Sequence, residues 1–196
     1  LLFNAPFTSV GNIKIENGST LYVENGENLE LLFESQFGET LIQKQIRFSS
    51  NQYQIEYDYY IKNNPFGIGA FELVWNGGLR PSEYLESEDV TYGSVSLGQL
   101  DEIVDASVGS SDVIEEERFV GNTDWAAIRG KYFVISLISK HPGSYGVLGG
   151  ENVLFGARKQ TPKHIMAIGY PPSSTNISGS IYVGPLDIDH IASTNT

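Results

Sequence analysis

Thr123–Lys140, TDWAAIRGKYFVISLISK, is the stretch on which the fold turns. Trp125 sits among small residues, Gly130 follows, and the run Tyr132-Phe133-Val134-Ile135-Ser136-Leu137-Ile138 is apolar on both alternating faces. Such a run reads as a central strand covered on each side, and it is too short to cross a bilayer. A strand with so little polar to expose belongs inside a sandwich, and the rest of the chain is expected to supply the covers. Core packing is the expected fate of Trp125, Tyr132 and Phe133.

Outward from this run the chain reads as strands and turns. Three short alternating runs (Ile13/Ile15, Leu21/Val23, Leu29/Leu31/Phe33) are separated by Asn17-Gly18 and Asn25-Gly26. Asn-Gly suits a type I′ turn, which needs positive φ at both central positions, so a meander is expected here. Asn17-Gly18-Ser19 and Asn176-Ile177-Ser178 also match the glycosylation acceptor pattern, although a turn explains the first one better. Leu41–Phe48 reads as the next strand. In Tyr53–Ile61, Tyr53, Ile55, Tyr57, Tyr59 and Ile61 share one face while Gln54, Glu56 and Asp58 share the other, the mark of a strand with one wet side. After Asn63-Asn64-Pro65, Gly67–Trp75 forms a further strand that Asn76-Gly77-Gly78 ends.

Residues 80–122 are acidic and rich in Ser and Gly; short strands are expected near Thr91–Leu97 and Val113–Val120, with a helical turn around Gln99–Val104. Beyond the central run, His141-Pro142-Gly143 reads as its end and Gly146–Gly150 as a flexible turn. Asn152–Arg158, Lys163–Tyr170 and Asn176–Val183 read as three more strands. Gly184–Ile191 looks like a helix start, with Pro185 in the first turn and acids near the positive end of the dipole. The expectation is one all-β sandwich domain over residues 1–196 with a short C-terminal helix.

Composition agrees. Charged residues are 18% of the 196, below the ~25% of an average soluble domain, while Gly (21) and Tyr (11) are plentiful. Aromatics fit pleated surfaces, and glycine supplies the positive φ that turns need. A net charge of −12 argues against nucleic acid, which needs clustered Lys and Arg, and against docking on an anionic lipid surface. With no cysteine, disulfides, thiolate metal sites and a Cys nucleophile are excluded. No stretch reads as a signal peptide or a membrane span. The abrupt start at Leu1-Leu2-Phe3, without Met, is expected to be that of a piece cut from a longer protein.

The chain carries no catalytic signature. His141, His164 and His190 lie far apart, in different elements, and none has a partner at metal-ligand spacing. Glu83, Glu86, Glu88 and Asp89, and the run Glu115-Glu116-Glu117, could supply paired carboxylates, but acid runs in loops are usually just solvated. Asp187-x-Asp189 lacks the continuation of a calcium loop, and Gly67-Ile68-Gly69 is too short for a nucleotide loop. No catalytic, cofactor-binding or metal residue is therefore assigned, and no cofactor is expected. The aromatic row on the Tyr53–Ile61 face could be a sugar or peptide platform, though a core face is the commoner meaning of such a row; a carbohydrate-binding sandwich would present aromatics such as Tyr57, Tyr59 and Trp75.

Three pieces carry a family resemblance: Trp75-Asn76-Gly77-Gly78-Leu79 with Pro81-Ser82-Glu83; Trp125-Ala126-Ala127-Ile128 followed by Lys131-Tyr132-Phe133 and the apolar run; and Ile181-Tyr182-Val183-Gly184-Pro185. In this order and at these distances, over about residues 40–191, they resemble the periplasmic domain of the bacterial membrane protein insertase YidC. The resemblance implies a β-super-sandwich similar to galactose mutarotase, carried as a large loop between the first two transmembrane helices of an inner-membrane protein. It further implies a non-enzymatic accessory role. Insertion chemistry belongs to the membrane helices, and the loop domain associates with SecDF of the translocon and assists folding of emerging membrane segments. On this reading the chain begins partway into the domain, and Gly184-Pro185 sets the angle at which the chain turns back toward the membrane. The competing class is a carbohydrate-binding or sugar-epimerising sandwich; fold analogy alone does not choose between them.

Overall fold

The computed structural model describes residues 8–10, 20–63, 71–107 and 113–187. The runs around Ile13, Asn17-Gly18, Gly67–Ala70 and Ile188–Ile191 lie outside them, and with them most of the expected C-terminal helix. The described elements are β1 (Thr8–Val10), β2 (Asn28–Phe37), β3 (Thr40–Ser49), β4 (Gln54–Lys62), β5 (Phe71–Trp75), α1 (Glu86–Tyr92), β6 (Ser94–Gln99), β7 (Glu102–Ala106), β8 (Val113–Arg129), β9 (Phe133–Phe155), β10 (Arg158–Tyr170) and β11 (Asn176–Pro185). All pairings between them are antiparallel.

The all-β expectation holds, and the quoted run is central to it. β9 lies between β11 and β8 in the order β1-β2-β3-β4-β11-β9-β8-β6-β7. Val134, Ile135 and Leu137 are buried on both of its faces. The run does not stop at His141-Pro142-Gly143, however. β9 continues to Phe155, exchanging β11, its partner up to Ser139, for β10, its partner from Tyr145 onward. The change of partner folds the sheet over on itself. The first half of β9 belongs to a large layer that runs from β1 to β7, and its second half to a small layer completed by β10 and β5.

The bend has a local cause. In the pairing with β8, the four residues Ser139–Pro142 stand opposite the single Asp124, between Ile138↔Trp125 and Gly143↔Thr123. Extra residues on one strand bend it and raise its twist, and a bulge is where a strand tolerates proline, since no ladder hydrogen bond is lost. Gly143 completes the corner: a Cβ there would sit 2.4 Å from Ile168 Cγ2. Gly146–Gly150 is likewise strand rather than flexible turn. Its glycines allow close approach, a Cβ at Gly146 meeting Leu97 Cδ2 at 2.6 Å.

The core lies between the layers. Ile42, Ile46, Tyr57, Ile61, Ile135 and Leu137 of the large layer pack with Leu148, Met166, Ile168 and Tyr170 of the small one. Each such side chain, fully buried, contributes about 1.5–3 kcal/mol. The alternation in β4 is realised as expected, Tyr57 and Ile61 buried and Glu56 exposed. Trp125 departs from expectation. Ala126 and Ile128 take the core side of β8, while the Trp125 indole covers Gly98, whose absent Cβ leaves the room.

Other departures are local. Asn25-Gly26 does turn (Gly26 φ +87°), but Leu21 and Val23 precede it without forming a strand. The expected helical turn at 99–104 is the tight β6–β7 hairpin, with Leu100 at φ +54°. Helix forms instead at α1, whose Glu86, Glu88 and Asp89 crowd the positive end of its dipole. The strand expected over Asn152–Arg158 is divided by a turn at Gly156 (φ +59°). Gly184 and Pro185 close β11 rather than opening a helix: Pro185 pairs with Phe133.

Candidate docking surfaces

The three sequence pieces that carry the family resemblance meet at one end of the sandwich. Trp75 donates from Nε1 to the Gly78 carbonyl at 3.1 Å, and Gly78 (φ +61°) packs on the backbone of Lys163 in β10. This steers Leu79–Ser82 over the start of β9. There Leu186 N donates to the Tyr132 carbonyl at 2.7 Å and Val183 N to the Tyr53 carbonyl at 2.8 Å, while the Tyr182 hydroxyl donates to the Pro185 carbonyl at 2.8 Å. Between them runs a groove of about 640 Å³ lined by Tyr53, Leu79–Ser82, Phe133 and Val183–Pro185. Phe133 and Val183 share the face on which Ile135 and Ile181 pack on the core, yet the small layer does not reach them. Phe133 is 50% exposed and its neighbour Tyr132 54% exposed, against the core packing that their residue types suggest.

Lys131 ties α1 to this end. Its ammonium lies 3.1 Å from Glu88 and 3.5 Å from Glu83, with the Tyr132 and Tyr92 rings 5.0 and 5.4 Å away. The Tyr132 contact first, and then Glu88, raise its pKa. The acid group therefore has structural work: Glu86 accepts from Gln160 N at 3.3 Å and Asp89 from Ser82 N at 3.2 Å. Glu116 and Glu117 are solvent-exposed on β8, and Asp187 is exposed past the end of β11.

Beneath α1 lies a cavity of about 30 Å³ of mixed lining, with Asp89, Arg129, Thr161 and His164 beside Leu79, Ile128 and Phe133. That suffices for water but not for a sugar. His164 is 2% exposed, and neither its Nε2 nor Thr161 Oγ1 has a hydrogen-bond partner. Burial pushes the imidazole pKa down from 6.5 to about 4. Between those values the unfolded chain binds the extra proton, so this contribution to stability is complete above pH 6.5 and drains away as pH falls toward 4. About 3 kcal/mol should be lost over that window. Urea midpoints at pH 7 and 4.5 test this, and His164→Leu should flatten the difference.

The histidines are not brought together. His141 is exposed at the bend of β9, its carbonyl accepting from Ser139 Oγ at 2.6 Å; His164 sits in β10 opposite Gly150; His190 lies outside the described residues. Among the described residues no group of three or more acids and histidines could hold a metal ion. The aromatic row is divided too. Tyr57 is 1% exposed and donates to the Ile138 carbonyl at 3.1 Å, so it faces no ligand. Burial first, and then Tyr170, raise its phenol pKa.

Tyr59 instead lines a second opening, an apolar cleft of about 320 Å³ between the layers, with Ile42, Ile61, Phe71, Leu73 and Ile177. Its upper wall is β5, which pairs on one side with β10; no described strand pairs with its other side. Periodicity could not reveal this cleft, because the residues that line it alternate as core residues do. Ile42, Ile61 and Ile177 are themselves core residues, and the cleft is the open margin of that core.

The described residues thus form a two-layer β-sandwich with an apolar cleft between the layers and exposed aromatics at one end. The family model of the YidC periplasmic domain matches residues 14–196, and the chain belongs to that family. It is similar to the membrane protein insertase YidC of Chloroherpeton thalassium, 27% identical over 202 residues, which takes in 97% of this chain and 31% of the relative. It is also similar to the YidC insertase of Chlorobium limicola, 33% identical over 155 residues, 74% of this chain and 25% of the relative. The chain thus spans about a third or less of these relatives. It is a periplasmic domain of a membrane protein, and no described helix is long and apolar enough to cross a membrane.

Proposed function

We propose that this domain is a non-enzymatic accessory of a membrane protein insertase, holding extended apolar segments of other proteins while they are inserted and folded. The observation that carries the reading is the cleft between the layers. Its floor is Ile42, Ile61 and Ile177, and its wall is β5, the last described strand of the small layer. An extended segment could add to such an edge through main-chain hydrogen bonds while its alternate side chains enter the apolar floor. Nascent membrane segments have that chemistry. SecDF and other translocon subunits are the proposed protein partners, with family membership as the support. The working unit is the sandwich as a single domain, since β8 and β9 run through both layers.

A photo-reactive amino acid at Val74, which lines the cleft and is 47% exposed, tests the reading in membranes carrying the full-length parent protein. Crosslinks to nascent membrane proteins or to SecDF are expected from Val74 and not from Glu117, an exposed control on β8. Equal yields from both positions, or none from Val74, would sink the proposal. A saturable thermal shift with mono- or oligosaccharides would favour the sugar-binding class instead.

A further inference from the structure

Some large apolar side chains left exposed by the fold stand singly, as at Leu100 (77%), Ile103 (65%) and Val120 (83%), but about half of them form a group at one end. The β8–β9 turn presents Tyr132 and Phe133, the end of β11 presents Leu186 (41% exposed), and the β9–β10 tip presents Leu154 (80%). The approach to α1 adds Tyr84 (97%) and Leu85 (53%). These elements adjoin one another. Leu186 bonds to Tyr132, Phe133 shares a cavity with Thr161 and Pro162 of β10, and Glu86 of α1 accepts from Gln160.

Charge separates this end from the rest. Residues 79–92, 129–133, 151–163 and 183–187 contain six of the twelve basic residues but six of the twenty-four acids. They are balanced, while the whole chain carries −12. Exposed apolar patches of this kind mark interaction sites, and Tyr rings with Leu and Phe between them are the composition that settles at the headgroup level of a bilayer.

We propose that this end of the domain rests on the interface of a lipid bilayer. Membership in a family of periplasmic domains of membrane proteins places a bilayer within reach, and local neutrality removes the repulsion that the acidic body would meet. The contact is apolar and aromatic, so it needs no anionic lipid and resists salt. The cleft between the layers opens toward the other end, where Ile61 N bonds to the Thr175 carbonyl, and so stays accessible.

The chain has no cysteine, so a single one can be placed and labelled with an environment-sensitive fluorophore. The positions are Tyr132 and Leu186 at the proposed contact, with Tyr60 and Val120 as controls near the start of β11 and the bend of β9. With zwitterionic phosphatidylcholine vesicles, a blue shift is expected at Tyr132 and Leu186, unchanged by high salt, and none at the controls. Phe133→Ser in the Leu186-labelled chain should weaken partitioning roughly fivefold; if that variant does not fold, Tyr132→Ser serves. The proposal is overturned by no shift at any lipid concentration, by equal shifts at all four positions, or by an unweakened variant. It is also overturned by a shift confined to phosphatidylglycerol and abolished by salt, or by one that grows with protein concentration without lipid, which would mean a second copy covers this end.

Discussion

Gly179→Ala should destabilise the domain by roughly 3 kcal/mol or more, the upper range for overpacking. Gly179 lies in β11 with Tyr57 of β4 opposite it on one side and Ser139 of β9 on the other. A Cβ there would stand 2.0 Å from the Ile138 carbonyl oxygen and 2.5 Å from the Tyr57 hydroxyl. The first of these is backbone of the central strand and cannot swing aside. The second is the buried donor to that same carbonyl, so moving the ring breaks the bond between them. A domain of this size loses about 2–4 °C of Tm per kcal/mol, so a fall on the order of 10 °C is expected in a thermal melt. A fall under about 3 °C would mean that β11 can shift out of register cheaply, against the pairing described.

Leu137→Ala should cost about 3–4 kcal/mol, within the range for emptying a buried leucine site. Leu137 is 1% exposed, on β9 between Ile181 and Ala126, and belongs to the cluster that joins both layers. Its neighbours are β-branched or small and anchored in long strands, so collapse into the cavity is limited. Because β8 and β9 contribute to both layers, the variant should unfold in one transition at a lower urea midpoint with unchanged slope. Two separated transitions would show instead that the layers fold independently, and the single-domain proposal would fail with them.

Much of the fold was legible because strand alternation is a local property. Tyr53–Ile61 declares its wet and dry faces within nine residues, and the quoted central run declares that it has no wet face. Turns at Asn25-Gly26 and after Trp75 were legible for the same reason. The misreadings share a different cause. His141-Pro142-Gly143 and the glycines from 146 to 150 are punctuation in most chains, yet here a bulge absorbs the proline and close neighbours use the glycines. Whether glycine means turn or close approach depends on what lies above it, and Leu97 above Gly146 is 49 residues away in the chain. α1 was missed because Glu86–Tyr92 has no buried residue and no side-chain cap to announce it.

The docking surfaces were less legible still. The three segments that carry the resemblance meet at one end, but residue type alone suggested core packing for Tyr132 and Phe133, which are about half exposed there. By itself the sequence determined the all-β class and the central place of residues 133–138, which rest on residue type and short-range spacing, while the family was legible only as a resemblance carried by three separate segments. Only the tertiary structure decided that β9 serves both layers, that His164 is sealed beneath α1, that Tyr57 is core while Tyr59 borders a cleft, and that aromatic side chains gather at one end. Those outcomes depend on strands meeting across the chain, as Gln54 meets Ser180 at a separation of 126 residues. An apolar side chain is buried only where a distant strand reaches far enough to cover it, and at Phe133 none does.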